Sequence, residues 1–304
     1  MRTRPTHHRH ANGERRILLA VVLLAAVVGC SPEPAFRRQA EEEGLVDAIR
    51  ATLLSSVEAE KSAVLATTDE ESLQMAQESR RLAERIDALV GDLRTHIDAD
   101  GRPATSERFA AFVARWEELK AVDQRLLALA VANTNLKAMR LSAREGLSAV
   151  DRLLVALDAM ERSSTDPDTI RTLAAASVAA LREQSLLLIH IPSADDAEMT
   201  RLEKQMSEAA ASVDRALATL RAGGNVPPGA LDTASEAWAA HRRIVDEVLK
   251  LSRENTNVRS FDVSVHEKRT VTRECLDGSC YWFRTIRTCG SGSIKFCRTF
   301  CNGV

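Results

Sequence analysis

The polar residues best suited to ligand binding lie in two copies of the tripeptide Asn-Thr-Asn, at 133–135 and 255–257. The first residue of each copy, Asn133 or Asn255, falls on an apolar seam with helical steps of three and four and is predicted to point inward. The third residue of each copy is predicted to face elsewhere. An inward amide is costly unless it finds partners. It could line a small-ligand pocket or fix helix register as in coiled coils, unless the face is misassigned and the amides are exposed.

Basic side chains follow each triplet. Lys137, Arg140, Arg144 and Arg259 could hold a carboxylate ligand beside the amides, or they could belong to a solvated helix face. Two histidines of the body, His190 and His241, are expected to be structural. The sequence contains no paired catalytic carboxylates, Ser/His/Asp set, glycine-rich phosphate loop or metal-ligand spacing. It therefore predicts a protein without catalysis, metal or cofactor.

A repeat with a constant offset of 122 residues contains both triplets. Residues 116–142 and 238–264 align without a gap, and each copy begins with Trp and ends with Ser. Trp116 and Trp238 are predicted to anchor the core in equivalent surroundings. Repeats on this scale indicate a supersecondary unit that buries its apolar face against another copy.

Ala, Leu, Arg and Glu dominate the composition and favour helices. The predicted helices cover about 36–65, 69–97, 105–160, 167–190, 196–221 and 230–262. The expected fold is all-α: a long antiparallel four-helix bundle over 36–264, built from a duplicated helical hairpin. Its halves would be about 36–142 and 143–264.

Residues 1–29 have the features of a lipoprotein-type signal peptide. Five arginines precede an unbroken apolar run, Ile17–Val28, which is too short to span a bilayer. Small residues then precede Cys30, the predicted lipidation site, and 30–35 would link it to the bundle. An uncleaved membrane anchor is the alternative. Either way the body is expected outside the cytoplasm, attached to a membrane of the cell envelope, most simply on the periplasmic side of an outer membrane.

The last forty residues, 265–304, form a basic, cysteine-rich tail. The disulfide candidates are Cys275, Cys280, Cys289, Cys297 and Cys301. Export favours disulfides, and five thiols allow two bridges with one left over or a bond to another chain. The tail could be a small partner-binding module, or it could have no function.

The charge of the body excludes one class of partner. The whole chain has a net charge of -2, but residues 30–264 alone carry 29 basic and 39 acidic side chains, a balance of -10. Nucleic-acid phosphates must be neutralised by clustered cations. No nucleic-acid partner is therefore expected.

Three stretches of the chain, 133–142, 194–206 and 251–275, resemble the extracytoplasmic four-helix-bundle sensory domain of methyl-accepting chemotaxis receptors. They read NTNLKAMRLS, ADDAEMTRLEKQM and LSRENTNVRS, the last followed by EKRTVTREC. The resemblance covers about 36–275. It implies a bundle that senses a small molecule or a partner protein, and it supplies no ligand residues that can be placed here. A homodimer is one candidate assembly of the chain.

The chain departs from those receptors because it has a lipobox-like leader and no cytoplasmic signalling part. It would have to present its ligand to a separate membrane receptor or kinase. The first functional hypothesis is therefore an anchored sensory-type bundle that binds a small solute or a receptor. The alternative is a structural or scaffold lipoprotein of the envelope with no small-molecule ligand.

Overall fold

The computed structural model describes residues 34–277, and its secondary structure is entirely helical. The elements are α1 (Pro34–Leu65), α2 (Asp69–Asp100), α3 (Pro103–Ala132), α4 (Thr134–Leu141), a first π-helical segment (Ser142–Gly146), α5 (Leu147–Ser163), α6 (Pro167–His190), α7 (Asp196–Gly223), α8 (Pro228–Glu254), α9 (Thr256–Asp262) and a second π-helical segment (Val263–Lys268). Helix continues over 269–277. The all-α prediction is confirmed for this part of the chain.

The turns between helices follow from local chemistry. Thr68 accepts a hydrogen bond from the Glu71 backbone N–H and so caps α2, and Asp166 caps α6 in the same way. Gly101 and Gly224 end α2 and α7 with φ of 65° and 63°, a left-handed conformation that glycine adopts without a steric penalty. These four boundaries are the ones that turn and capping residues predict.

The helices pack in two groups of four. Bundle A consists of α1, α2, α3 and residues 256–277, and bundle B consists of residues 134–163, α6, α7 and α8. Each bundle has its own apolar core. That of bundle A includes Ile49, Ile86, Leu93, Trp116, Leu119 and Leu126, and that of bundle B includes Leu153, Leu157, Leu173, Leu187, Val213 and Trp238.

This arrangement differs from the predicted single bundle of two hairpins lying side by side. The connector between α5 and α6 has only three residues, 164–166, so α6 must return antiparallel beside α5. The α6–α7 hairpin therefore packs beyond the triplets, end to end with the α1–α2 hairpin. The fourth helix of bundle A, residues 256–277, follows the helices of bundle B in the chain, and its equivalent in the first copy of the repeat begins at 134 and belongs to bundle B. The predicted halves at 36–142 and 143–264 therefore do not coincide with the bundles.

Two long elements run antiparallel through both bundles. They are residues 103–163 and 228–277, each interrupted at its triplet, so the predicted continuous helix over 105–160 is broken at Asn133. At 1.5 Å per residue the longer element spans about 90 Å. Pro34, the Gly101 turn and residue 277 lie at the bundle A end, since Ile97, Phe109 and Cys275 share one cluster.

Trp116 and Trp238 have equivalent surroundings in the two bundles. Both are buried, and their indole N–H groups donate to Asp87 at 2.7 Å and to Asp214 at 2.6 Å. The predicted core role of both residues is confirmed. Their carboxylate partners on α2 and α7 were not anticipated.

Candidate functional site

Asn133 and Asn255 end α3 and α8 in the left-handed conformation, with φ of 50° and 52°. They are the two positive-φ residues other than glycine in the described range. Asn adopts this conformation more readily than other L-residues because its short amide can hydrogen-bond locally. The first residue of each triplet is thus a helix terminator rather than a member of a continuous seam.

The two triplets bind each other through reciprocal hydrogen bonds. The Thr134 N–H donates to the Thr256 hydroxyl at 3.0 Å, and the Thr256 N–H donates to the Thr134 hydroxyl at 3.1 Å. The N–H groups of Asn135 and Asn257 donate to each other's side-chain oxygens at 3.2 and 3.1 Å. Each triplet therefore caps the helix that begins in the other one, because the first N–H groups of a helix have no partner within it.

The side-chain amides join the triplets crosswise. The Asn135 amide donates to Asn255 Oδ1 at 2.7 Å, and the Asn257 amide donates to Asn133 Oδ1 at 2.8 Å. The prediction that Asn135 and Asn257 face elsewhere was wrong, because the break at the preceding Asn resets the helical phase. In a simple register pair the side chains of Asn133 and Asn255 would hydrogen-bond to each other, but these two side chains do not.

The loop between α6 and α7 is tied to this junction. Asn135 Nδ2 also donates to the Ile191 carbonyl at 2.6 Å, and Asn255 Nδ2 donates to the Ser193 carbonyl at 2.9 Å. Within the described range only the amide nitrogen of Asn133 lacks a partner among the triplet amides. These contacts hold two bundles together and leave little hydrogen-bonding capacity for a ligand.

The predicted basic ligands do not converge. Lys137 donates to the Ala132 carbonyl at 2.8 Å, and Arg140 donates to the Thr67 carbonyl at 2.9 Å and pairs with Asp69 at 3.2 Å. Arg259 is exposed on the other element. The predicted carboxylate site beside Asn133 and Asn255 is therefore not formed, because two of its cations neutralise helix ends and loops.

His190 connects the junction to α7. Its ring nitrogens lie 2.9 Å from the Ser252 hydroxyl and 2.9 Å from Glu203 Oε1, and Arg253 holds the same carboxylate at 2.6 Å. Burial lowers the pKa of His190, although Glu203 acts in the opposite direction. The structural role expected for His190 agrees with these contacts.

We expect the free energy of unfolding to fall as the pH drops from 7 to 5. A histidine whose pKa is lowered by folding binds its proton more readily in the unfolded chain. Stability is therefore lost as the pH falls below 6.5, the ordinary pKa of a histidine side chain. Urea denaturation of the wild type and of His190→Gln at several pH values measures this. An unchanged pH dependence in the variant would contradict the assignment.

Each bundle buries a glutamate on the first helix of its hairpin. In bundle A, Glu60 accepts from Lys268 at 2.8 Å, and Asp123 lies 2.6 Å from the same ammonium. Lys268 is only 2% exposed although its side chain is charged. Burial raises the pKa of Asp123, and the Lys268 charge partly offsets that effect.

The equivalent layer of bundle B lacks the lysine. Gly146 stands 122 residues before Lys268, and a Cβ there would lie 3.2 Å from Gln184 Oε1. The buried Glu183 is paired with Arg242 instead, and His241 Nε2 lies 3.3 Å from its other oxygen. Among the residues described, that oxygen and both His241 nitrogens make no hydrogen bond. The hydrogen-bonded ion pair of Glu183 and Arg242 therefore holds this layer, whose hydrogen-bond network is incomplete.

The two long elements meet along a seam in each bundle, and the seams differ. In bundle A, Arg115 pairs with Glu274 at 3.4 Å, and Arg125 pairs with Glu267. In bundle B, the positions equivalent to Arg115 and Glu274 are Ala237 and Arg152. Those equivalent to Arg125 and Glu267 are Glu247 and Glu145, which cannot pair with each other.

A groove of about 1050 Å³ lies along the seam of bundle B, between α5 and α8. Its lining includes Arg144, Leu147, Arg152, Val155, Ala237 and Ala240. A hollow of about 650 Å³ continues it toward the triplets and shares Arg144, Ser148, Arg152 and Ala240 with it. Neither Arg144 nor Arg152 forms an ion pair with any residue in 34–277. The groove is therefore the candidate site, and of its lining residues only Arg144 was selected from the sequence, as a possible carboxylate ligand.

No known protein family, curated protein or solved structure matches the chain. The resemblance to chemotaxis receptor domains therefore stays a prediction. The groove offers an apolar wall and unpaired guanidinium groups, which suits binding and orientation of a ligand. Among the described residues, no cluster of three or more His, Cys, Asp or Glu side chains could hold a metal ion.

One described helix, α6, is long and apolar enough to cross a membrane by length and composition, and 39% of its most apolar window is buried. Leu173, Ala180 and Leu187 on this helix are fully buried in bundle B. Its apolar character is thus partly explained by packing within the protein.

Several predicted residues lie outside the described range: the leader 1–29, Cys30, and the tail cysteines Cys280, Cys289, Cys297 and Cys301. Cys275 is within it and is a buried free thiol in the core of bundle A, not half of a disulfide. The helix of the second repeat continues to 277 and carries Cys275 inward, so the predicted tail domain beginning at 265 starts too early.

Cys275 is expected to resist alkylation in the native protein. Burial raises the pKa of its thiol to about 12, so little thiolate forms at neutral pH. Iodoacetamide labelling followed by peptide mass spectrometry, with and without urea, measures the accessibility of this position. Rapid native labelling of Cys275 would contradict its burial.

Proposed function

We propose that the chain is an anchored, non-catalytic binding module of the cell envelope, in which bundle A acts as a stalk and bundle B binds a small solute. The observation that carries the proposal is the contrast between the seams. In bundle A ion pairs cross the seam, and in bundle B the equivalent positions line a groove of about 1050 Å³ and the smaller hollow that continues it. This volume is close to the upper end of the range of about 300–1,000 Å³ found for small-molecule sites.

Anchoring through Cys30 would place the groove away from the membrane. Pro34 lies only four residues after Cys30, so no more than about 15 Å of extended chain separates them. Pro34 is at the free end of bundle A, and bundle A is about 45 Å long, judged from the thirty residues of α3. We infer that bundle B projects into the envelope space, where a separate membrane receptor or kinase could read its occupancy.

The fold supports a sensory role in one further respect. The elements 103–163 and 228–277 each belong to both bundles, and the triplets join them at the centre. We propose that the two four-helix bundles arose by duplication of one helical unit, as the repeat indicates. A ligand that alters the packing of α5 against α8 would then act on bundle A through the two shared elements and the hydrogen-bonded triplets that join them.

A screen of the full mature chain tests the binding function. Organic acids, amino acids, sugars and amphiphiles are compared by thermal shift, and a solute at a hundred times its Kd should stabilise the fold by about 2.7 kcal/mol. The double variant Ala237→Arg/Arg152→Glu copies the Arg115–Glu274 pair of bundle A into the groove. A solute that stabilises the wild type but not this variant supports the proposal.

The second candidate is a scaffold lipoprotein with no small-molecule ligand. It is favoured by the junction, where the triplet amides bind one another and the result is a rod of about 90 Å. No stabilisation by any class in the screen would leave this candidate in place of the binding function. Anchoring is tested separately, since Cys30→Ser should release the protein from the membrane fraction under either candidate.

A further inference from the structure

We propose that the groove of bundle B binds a free amphiphile with an alkyl chain and a carboxylate head. This inference deepens the proposed function and rests on it. The alkyl chain would lie along the alanine-lined part of the groove, and the head would face Arg144 and Arg152. The argument has three steps: how the groove opens, where its charges lie, and why its occupant is not the membrane itself.

The groove opens because long charged residues are replaced by alanine at three positions of the repeat. Arg108, Arg115 and Glu118 on α3 correspond to Ala230, Ala237 and Ala240 on α8. In bundle A, Arg115 pairs with both Glu118 and Glu274 across the surface of the seam. In bundle B all three alanines line the groove. The apolar wall is therefore specific to one of two otherwise equivalent seams.

Polarity changes along the groove. The part farther from the triplets is lined by Val155, Ala156, Ala159 and Ala230, with Val155 68% exposed. An exposed valine in such a hollow loses contact with water when an alkyl chain covers it. Asp151 and Glu236 also line this part of the groove, which therefore has no net positive charge.

The part nearer the triplets is positive. Arg144, Arg152 and Arg243 line the smaller hollow and outnumber its two acids, Glu145 and Glu247. None of these three arginines forms an ion pair with a residue in the described part of the chain. A guanidinium group binds a carboxylate through two parallel hydrogen bonds, which makes a carboxylate head the best match for this end.

The position of the groove selects a free amphiphile over a bilayer lipid. Bundle A separates the groove from Pro34, the residue that follows the proposed anchor, by about 45 Å. A lipid in the membrane that holds the anchor would therefore not reach the groove. The occupant must arrive as a monomer from the envelope space.

Titration calorimetry on the full mature chain tests the inference with dodecanoate, decanoate, dodecyltrimethylammonium and dodecyl maltoside, all below their micelle concentrations. We expect dodecanoate to bind more tightly than the other two twelve-carbon probes. We also expect decanoate to bind at least about fourfold more weakly than dodecanoate, since each partly buried methylene contributes about a factor of two to four.

Variants locate the site. Arg152→Gln should weaken dodecanoate binding by about tenfold, because it removes a charged hydrogen-bonding group. The exposed Arg182→Gln on α6 should leave the binding unchanged. Ala237→Arg/Arg152→Glu should abolish binding, and Ala240→Glu, at a less buried position, provides a second filled groove if the double variant does not fold.

The outcomes separate the two proposals. Equal binding of all three head groups, or dodecanoate binding that survives Arg152→Gln and Ala240→Glu, would overturn the inference. A different class of solute that binds the wild type but not the filled variants would also overturn it, while leaving the proposed function intact. The absence of any ligand from the whole screen would overturn both.

Discussion

Lys268→Met is expected to lower the free energy of unfolding by about 3–5 kcal/mol, the usual effect of removing one member of a buried ion pair. Lys268 is 2% exposed and holds Glu60 at 2.8 Å and Asp123 at 2.6 Å. Without it, two carboxylates remain buried with no cation between them. Urea denaturation of the full chain, followed by circular dichroism, measures the loss.

The pH dependence of this loss identifies its cause. Burial already raises the pKa of Asp123, and removing Lys268 would raise it further. A carboxyl group with a raised folded pKa is less destabilising as the pH falls and it becomes protonated. The deficit of Lys268→Met should therefore be smaller at pH 5 than at pH 8.

Two matched variants complete the test. Glu60→Gln combined with Lys268→Met removes one of the stranded charges and should recover part of the lost stability. Lys250→Met, at an exposed lysine on α8, should change the free energy of unfolding by less than about 0.5 kcal/mol. A loss of similar size in Lys250→Met would show that the effect is not one of burial.

Asn255→Ala should destabilise the chain by at least about 3 kcal/mol through two separate effects. An alanine at φ of 52° costs about 1–2 kcal/mol relative to an ordinary helical residue. The substitution also leaves the Asn135 amide and the Ser193 carbonyl without one partner each, at about 1–3 kcal/mol for each buried group. Thermal and urea unfolding of the variant give the total.

Asn255→Gly separates these effects, because glycine accepts a positive φ without penalty but makes no side-chain hydrogen bonds. It should lose about 1–2 kcal/mol less than the alanine variant. Asn225→Ala, in the exposed turn before α8, is the neutral control. If the triplets couple the bundles, Asn255→Ala should also broaden or split the unfolding transition, and a single sharp transition at unchanged midpoint would refute the coupling.

The turns were predictable from sequence because their determinants are local. Thr68, Gly101 and Asp166 each act within a few residues of themselves. The break at Asn133 was not predicted, since neither Gly nor Pro accompanies it and the apolar pattern continues on both sides. Its partner is 122 residues away, and only the assembled pair of triplets makes the left-handed conformation favourable.

The single-bundle prediction was wrong for a related reason. Helical periodicity shows which face of a helix is apolar but not which helix covers it. The pair Glu60–Lys268 joins residues 208 apart, beyond any local pattern. The groove, by contrast, left a readable signal, because the repeat aligns Arg108, Arg115 and Glu118 with alanines, and a comparison of the differences between copies would have found it.

The two bundles can fold at different times during synthesis, because their helices lie in different orders along the chain. All four helices of bundle B come from one continuous stretch, 134–254, so this bundle can close while the rest of the chain is still emerging. Bundle A requires contacts between α1 and residues beyond 256, a separation that slows folding. Until the final segment arrives, the apolar cleft among α1, α2 and α3 stays wet, with the Glu60 carboxylate still hydrated there. The cleft is thus buried only when the chain is complete. A chain truncated before Lys268 would keep this apolar surface exposed and would be susceptible to aggregation and proteolysis.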